Sequence, residues 1–342
     1  MKTGKAILWS ALLLILTGGS LAFLLRGVDW PSIGGALRVA HLGWLGCGLG
    51  LMLIFALSQA ASLSLLLGRC GHKVGLGTSL RSVFIGFFFS GITPSASGGQ
   101  PAQVWQLSRQ GVSAGASAGA LLLMQISYQA VMVALGALGL LLCGGAFADA
   151  QGGIWALLIY GFAAAAAVFL LLFLALFSGR KLESAGLRFL RFLGRHRLLR
   201  CTQERCESFR RQMAQFDACA ALLRQNGRVS IVLLGLTAVE QISRLAVPCA
   251  VYAALGLTGH PLWQLAAAQA VLAIAVDTLP LPGAAGASEG VFLAVQGFFF
   301  GPLAVPAMLL CRGISFYAAM AVSGIVAALP LPAKALSAGA MH

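Results

Sequence analysis

Acidic residues are scarce in this chain: nine Asp and Glu stand against 23 Lys and Arg in 342 residues. Charged residues of both signs make up only 9%. A water-soluble domain carries about a quarter, so that class is excluded. The signatures of most enzyme classes are missing too. There is no P-loop and no Rossmann glycine run, which argues against a pump driven directly by ATP. The eight cysteines form no CxxC and no Cys/His metal spacing. The five histidines, His41, His72, His196, His260 and His342, lie near the ends of apolar runs, and none sits at a motif distance from a Cys, Ser or Asp. No catalytic motif, cofactor or metal site is therefore expected. Several cysteines fall inside apolar runs, where Cys acts as a small hydrophobe, and no disulfide is expected. The alternation of β-barrel strands is absent as well.

What fills the chain instead is apolar. Hydrophobic residues make up 59%, with a mean hydropathy of +0.90. Several runs are long enough to cross a bilayer as helices. The net charge of +14 suggests nucleic acid in a soluble protein, but here it gathers mainly in one loop and no basic–aromatic array accompanies it. It is read as a topology signal, because Lys and Arg stay on the cytoplasmic side.

The first apolar run follows Lys2 and Lys5. It is long for a signal peptide and lacks a clear cleavage site, so it is read as an uncleaved helix over Ala6 to Leu25. Further spans are expected at Leu42–Leu67, Ala116–Cys143, Ile154–Phe177, Val229–Leu255 and Leu303–Leu329. The segment from Gly179 to Arg228 holds twelve Lys and Arg, opposed only by Glu183, Glu204, Glu207 and Asp217. Two readings of it stay open: basic helices lying on the inner leaflet, or a linker that only fixes orientation.

Two stretches break this pattern. Gly91 to Trp105 reads GITPSASGGQPAQVW, and Thr278 to Phe292 reads TLPLPGAAGASEGVF. Each adjoins apolar runs too short to cross alone. Broken backbone at membrane depth survives only where protein or a watery cavity surrounds it. The economical reading is two re-entrant hairpins, turning near Pro94 to Gly99 and Pro282 to Gly286. The expected fold is therefore an all-α polytopic membrane protein with about six full transmembrane helices and two re-entrant hairpins. An eight-helix count with both stretches crossing stays as the alternative, although the basic residues favour it less. Both counts put the two termini in the cytoplasm.

Pro94 and Pro282 are 188 residues apart, and so are Ile126-Ser-Tyr128 and Ile314-Ser-Phe316. The same offset lays the second helix on the fifth and the third on the sixth. Within one membrane domain, 1–342, repeat one covers 42–143, a connector 154–228 and repeat two 229–329. The halves would run in opposite directions, the inverted-repeat plan whose interface holds a transport site.

Ionisable residues within spans are costly and usually functional. Glu240 and Arg244 lie four apart on one helix face; they either neutralise each other or face a polar cavity together. Asp277 precedes the second break and Glu289 follows it. Arg312 is a candidate phosphate ligand beside glycine-rich N–H groups or an ion-pair partner of Glu289 or Asp277, and the favoured reading combines the two: held by a carboxylate and available to a head group. The offset sets it opposite Met124, near Gln125, Tyr128 and Gln129. Ser95, Ser97, Gln100, Gln103 and Trp105 decorate the first hairpin.

Thr93 to Gly111 and Pro280 to Phe299 resemble the transmembrane domain of lysylphosphatidylglycerol synthase/flippase proteins, and the resemblance covers nearly the whole chain. The matching pieces are Pro-Ser-Ala-x-Gly-Gly-Gln-Pro and Pro-Gly-x-x-Gly-x-x-Glu, with Arg312 in LLCRGISFY. In two-domain relatives a soluble aminoacyl-tRNA-dependent transferase domain follows; here the sequence ends at His342, so the resemblance implies the flippase half. It carries over Ser95, Ser97, Gly98, Gly99, Gln100, Pro282, Gly283, Gly286, Glu289 and Arg312 as candidate cavity residues. The expected function is a flippase-like lipid translocator of the cell inner membrane, moving a phospholipid or glycolipid head group. Its partners would be membrane lipids, anionic or aminoacylated phospholipids first, with a partner synthase and a homo-oligomer left open and no nucleic acid. The alternatives are a membrane enzyme acting on lipid-phosphate substrates, with Glu289 and Asp277 as its carboxylates, and a non-transporting scaffold for a synthase.

Overall fold

The computed structural model describes residues 34, 35, 38, 40–93, 96–143, 152–177, 184, 188, 203–277 and 287–329. Among the described residues every regular element is helical. The expected first span, the first part of the basic segment (residues 179–202 other than 184 and 188), Pro94 and Ser95 of the first hairpin, residues 278–286 of the second and the C-terminus with Lys334 lie outside them. Four stretches are long and apolar enough to cross a bilayer: Leu42–Arg69, Ala114–Leu142, Gly227–Ala254 and Glu289–Ala328. The last is bent at Gly301, whose φ is +52°.

In chain order the helices are α1 Leu42–Arg69, α2 Leu76–Ile92, α3 Gly99–Arg109, α4 Ala114–Cys143, α5 Gly152–Phe177 and α6 Gln203–Gln225. They continue with α7 Gly227–Leu245, α8 Val247–Ala254, α9 Leu262–Asp277, α10 Ala287–Phe300, α11 Ala304–Arg312 and α12 Ala319–Ala328. Helix α1 ends on Gly71, φ +86°, with His72 N–H donating to the Leu67 carbonyl at 2.9 Å. Helix α8 ends alike on Gly256, φ +70°, with Leu257 N–H donating to the Tyr252 carbonyl at 3.2 Å. A left-handed residue at that position satisfies the last carbonyls, and glycine reaches it without penalty.

The span expected over Val229–Leu255 is two helices. Pro248 follows the join and has no N–H for the carbonyl four residues back, at Arg244, so the ladder breaks near Ala246. The span expected over Leu303–Leu329 is also divided. A 3₁₀ turn, Gly301–Leu303, precedes α11, and a π-helical segment, Gly313–Ala318, separates Arg312 from α12.

The packing keeps its pattern when the halves are exchanged at the 188-residue offset. Helix α1 packs on α7 and α8, its own counterparts. Helix α2 packs on α12, and its counterpart α9 packs on α4. The pairs α2–α3 and α3–α4 match α9–α10 and α10–α11. Lipid offers helices no hydrophobic drive to associate, so close approach of small residues matters. Gly136 lies against Ile274 of α9; Gly324, 188 residues on, lies against Phe88 of α2. A Cβ on Gly139 would sit 2.6 Å from the Ala267 carbonyl oxygen.

Helix α6 leans on the start of α4, where Gly115 N–H donates to Gln212 Oε1 at 2.6 Å. Cys219 and Ala220 are buried with Ala116 and Ala120, while Arg210 and Arg211 are exposed. This part of the basic segment is thus a packed helix rather than a bare linker. Here the expectation of free cysteines is corrected: Cys70 and Cys219 form a disulfide, with Cα atoms 5.5 Å apart. They are 149 residues apart in sequence, a separation that no spacing rule detects.

Candidate functional site

The break between α2 and α3 is a hydrogen-bonded turn. Thr93 Oγ1 donates to the Phe89 carbonyl at 2.6 Å and accepts from Gly98 N–H at 2.9 Å. Ala96 holds a left-handed φ of 53°. That conformation costs an L residue about 1–2 kcal/mol. The glycines of the motif let the two helices touch. A Cβ on Gly98 would lie 2.7 Å from Thr93 Cγ2, and one on Gly99 2.8 Å from the Gly86 carbonyl oxygen. Gly86 in turn lies under the side chain of Gln103.

Beside this hairpin lies a cavity of about 740 Å³. Its walls come from α1, α2, α3, α4, α5, α7 and the end of α9. Three ionisable side chains other than Tyr128 face it: Glu240, Arg244 and Asp277. Arg244 Nη2 donates to Asp277 Oδ2 at 3.0 Å, and the Tyr128 hydroxyl donates to the same oxygen. Arg244 Nε donates to Gln241 Oε1 at 3.2 Å, and Gln241 Nε2 donates to Glu240 Oε1 at 2.9 Å. Gln59 of α1 donates to the same Glu240 oxygen at 3.2 Å. Gln241 therefore stands between Glu240 and Arg244, and the ion pair of Arg244 is with Asp277. Glu240 is 5% exposed, whereas the Arg244 and Asp277 side chains keep 28% and 29% of their exposure. On the opposite wall Gln100 donates to Gln125 Oε1 at 3.4 Å.

Of the residues singled out by sequence, Ser97, Gly99, Gln100, Gln125, Tyr128, Glu240, Arg244 and Asp277 all line this one cavity. Gly98 packs against Thr93 beside it. Ser95, Pro282, Gly283 and Gly286 lie outside the described residues. Glu289 and Arg312 are not part of the lining. Arg312 Nε pairs with Glu289 Oε1 at 2.9 Å, and its guanidinium lies 5.1 Å from the Phe316 ring centre and 5.9 Å from that of Tyr317. Arg312 is thus the ion-pair partner of Glu289 on α10, and Arg244 is the cation among the described residues of the cavity lining. Gln103 and Gln129, which the sequence also marks, line the cavity as well. The residues missed by sequence reading are Gln59 and Gln241, with Ser90. Their signal was a polar side chain within an apolar run, legible at Gln59 in ALSQAAS.

Residues 7–323 match the family model described as the lysylphosphatidylglycerol synthase TM region. The chain belongs to that family. No curated protein matches it. Membership of the lysylphosphatidylglycerol synthase TM family, with the spans described above, makes this a multi-pass membrane protein related to lipid handling. The motif pieces TPSASGGQP and the Arg312 helix both fall within the matched residues.

Proposed function

We propose that this protein moves a lipid head group from one leaflet of the inner membrane to the other through the cavity beside the first hairpin. The observation that carries this reading is the lining itself: Glu240, Arg244, Asp277 and six Gln side chains around about 740 Å³ among membrane-spanning helices. Polar side chains at membrane depth are costly unless they have partners or a substrate. Arg244 would take the phosphate, since a guanidinium suits phosphate oxygens. The carboxylates of Glu240 and Asp277 would offer oxygen acceptors to an ammonium group. An aminoacylated phospholipid carries both charges, in keeping with the lipid in the family's name.

In this reading the halves form an inverted repeat whose hairpins enter from opposite faces, and both termini are cytoplasmic. Transport would be a rocking of one half against the other. The enzyme alternative is favoured less, since Asp277 pairs with Arg244 and Glu289 with Arg312 instead of the two carboxylates meeting. A scaffold with a dry centre has no use for this polar lining.

The test is a leaflet-resolved assay in proteoliposomes with fluorescent aminoacylated and unmodified phospholipids. Wild-type protein should move the aminoacylated lipid and Arg244→Gln should not, with both correctly inserted. Equal movement by the two proteins would sink the assignment.

A further inference from the structure

A second, apolar depression of about 170 Å³ adjoins the polar cavity. The two share Phe55, Val83 and Phe87 as a common wall. The groove lies between α1, α2 and the segment running from the π-helical turn into α12. On its far side are Leu49, Leu53 and Val322, at 50%, 54% and 46% exposure. Ser323 is the one polar side chain in its lining, and it is fully buried. Ile314 and Ala318 belong to the π-helical segment Gly313–Ala318. Such segments shift the register of a helix and are frequent at functional sites.

We infer that this groove is an acyl-chain subsite: it holds one hydrocarbon tail of the lipid whose head group occupies the polar cavity. The inference rests on the lipid-translocation reading above and adds where the tail goes. A head group drawn into a polar chamber remains bonded to chains that must stay in apolar surroundings. The chamber therefore needs a sideways passage whose walls are almost wholly apolar and which touches the chamber directly. The groove meets both requirements, and its exposed side is made of aliphatic residues suited to lipid. It is wide enough for a stretch of one chain and too small for a head group. The tail would pass Phe55 and Phe87, and Phe87 also stands 6.2 Å from Phe316, the ring on which Arg312 rests. Passage of the tail is thereby placed next to the ion pair of the second hairpin.

Two photoreactive phospholipids in nanodiscs test this, one with a diazirine midway along an acyl chain and one with it on the head group, each cross-link located by mass spectrometry. The chain probe should label Leu53 and Val322 severalfold above the outward-facing Ile231 and Leu171. That excess should vanish with Arg244→Gln, which releases the head group, and with Ala319→Trp, which fills the groove. The head-group probe should still label the cavity in Ala319→Trp, which also shows that this variant is folded. If the head-group probe labels the cavity while the chain probe labels all lipid-facing residues alike, the groove assignment is overturned and the translocation reading stands. If the head-group probe does not reach the cavity in the wild type, both fall.

Discussion

Arg244 on α7 and Asp277 at the last residue of α9 are joined by an ion pair of 3.0 Å. The two side chains come from the same half of the sequence, yet they close the far wall of a cavity whose near wall is the hairpin of the other half. Asp277 is also the last residue before the second broken stretch, so the pair ties that break to the chamber.

Breaking this pair from one side should cost more than removing it. Asp277→Asn leaves Arg244 charged among helices without its counterion, a loss of about 3 kcal/mol in a buried setting and less here, where both side chains keep partial exposure. The double variant Arg244→Gln/Asp277→Asn should recover part of that loss. Thermal unfolding in detergent gives the coupling energy from the double-mutant cycle. Lipid movement should stay absent in the double variant, which separates the role in stability from the role in transport.

Glu240→Gln keeps the size of the side chain and removes the charge. Its oxygen accepts from Gln59 and Gln241, and the new amide can still offer a carbonyl oxygen to both. Stability should therefore change by less than about 1 kcal/mol, the net worth of one ordinary hydrogen bond. Transport of a lipid with a cationic head group should fall, while a purely anionic lipid gains relative to it. Competition between the two lipids in one vesicle assay measures this.

Arg312 should behave as a structural residue of the second hairpin. Arg312→Lys keeps a charge for Glu289 but loses the flat contact with Phe316 and Tyr317, a cation–π contribution of about 0.5–2 kcal/mol. The melting temperature should drop, and head-group cross-linking in the cavity should persist. Loss of that cross-linking without loss of stability would return Arg312 to the list of head-group ligands.

Gly86→Ala and Gly99→Ala should force α2 and α3 apart. The added methyl group at Gly86 meets Gln103, and the one at Gly99 meets Ser90 and the Gly86 carbonyl. Overpacking of this kind costs about 1–3 kcal/mol. Gly297→Ala on α10, where a Cβ meets open space, is the control and should be neutral or mildly stabilising. Unfolding temperatures of the three variants decide it.

Peptide-resolved thiol labelling checks the disulfide. Cys47, Cys249 and Cys311 should alkylate in the denatured, unreduced protein. Cys70 and Cys219 should do so only after reduction.

Much of this was readable from residue order alone. Long apolar runs specify membrane-spanning helices, because only a helix satisfies its own backbone in hydrocarbon. The run SASGGQP announced a break; the close approach of α2 and α3 that its glycines allow emerges only from the structure. Glu240, Arg244 and Asp277 were visible because charge stands out in an apolar chain. Element boundaries were less legible. Pro248 divides one expected span, and its effect depends on which carbonyl lies four residues back. The π-helical segment after Arg312 has no sequence signature comparable to a proline. The disulfide of Cys70 and Cys219 was hidden, because what joins them is the packing of α6 against the end of α1 and the start of α4, not any spacing.

The sequence by itself determined which side chains would be expensive to bury and that two Gly- and Pro-rich stretches lie 188 residues apart. Those are local properties: hydropathy, backbone hydrogen bonding and the conformational range of glycine and proline. Only the tertiary structure decided which charge meets which. Arg244 and Arg312 were equivalent candidates as letters. One faces Asp277 in the cavity and the other is held by Glu289 away from it, because partner choice follows from how α7 packs on α9 and α10 on α11, a relation between segments that no single segment encodes.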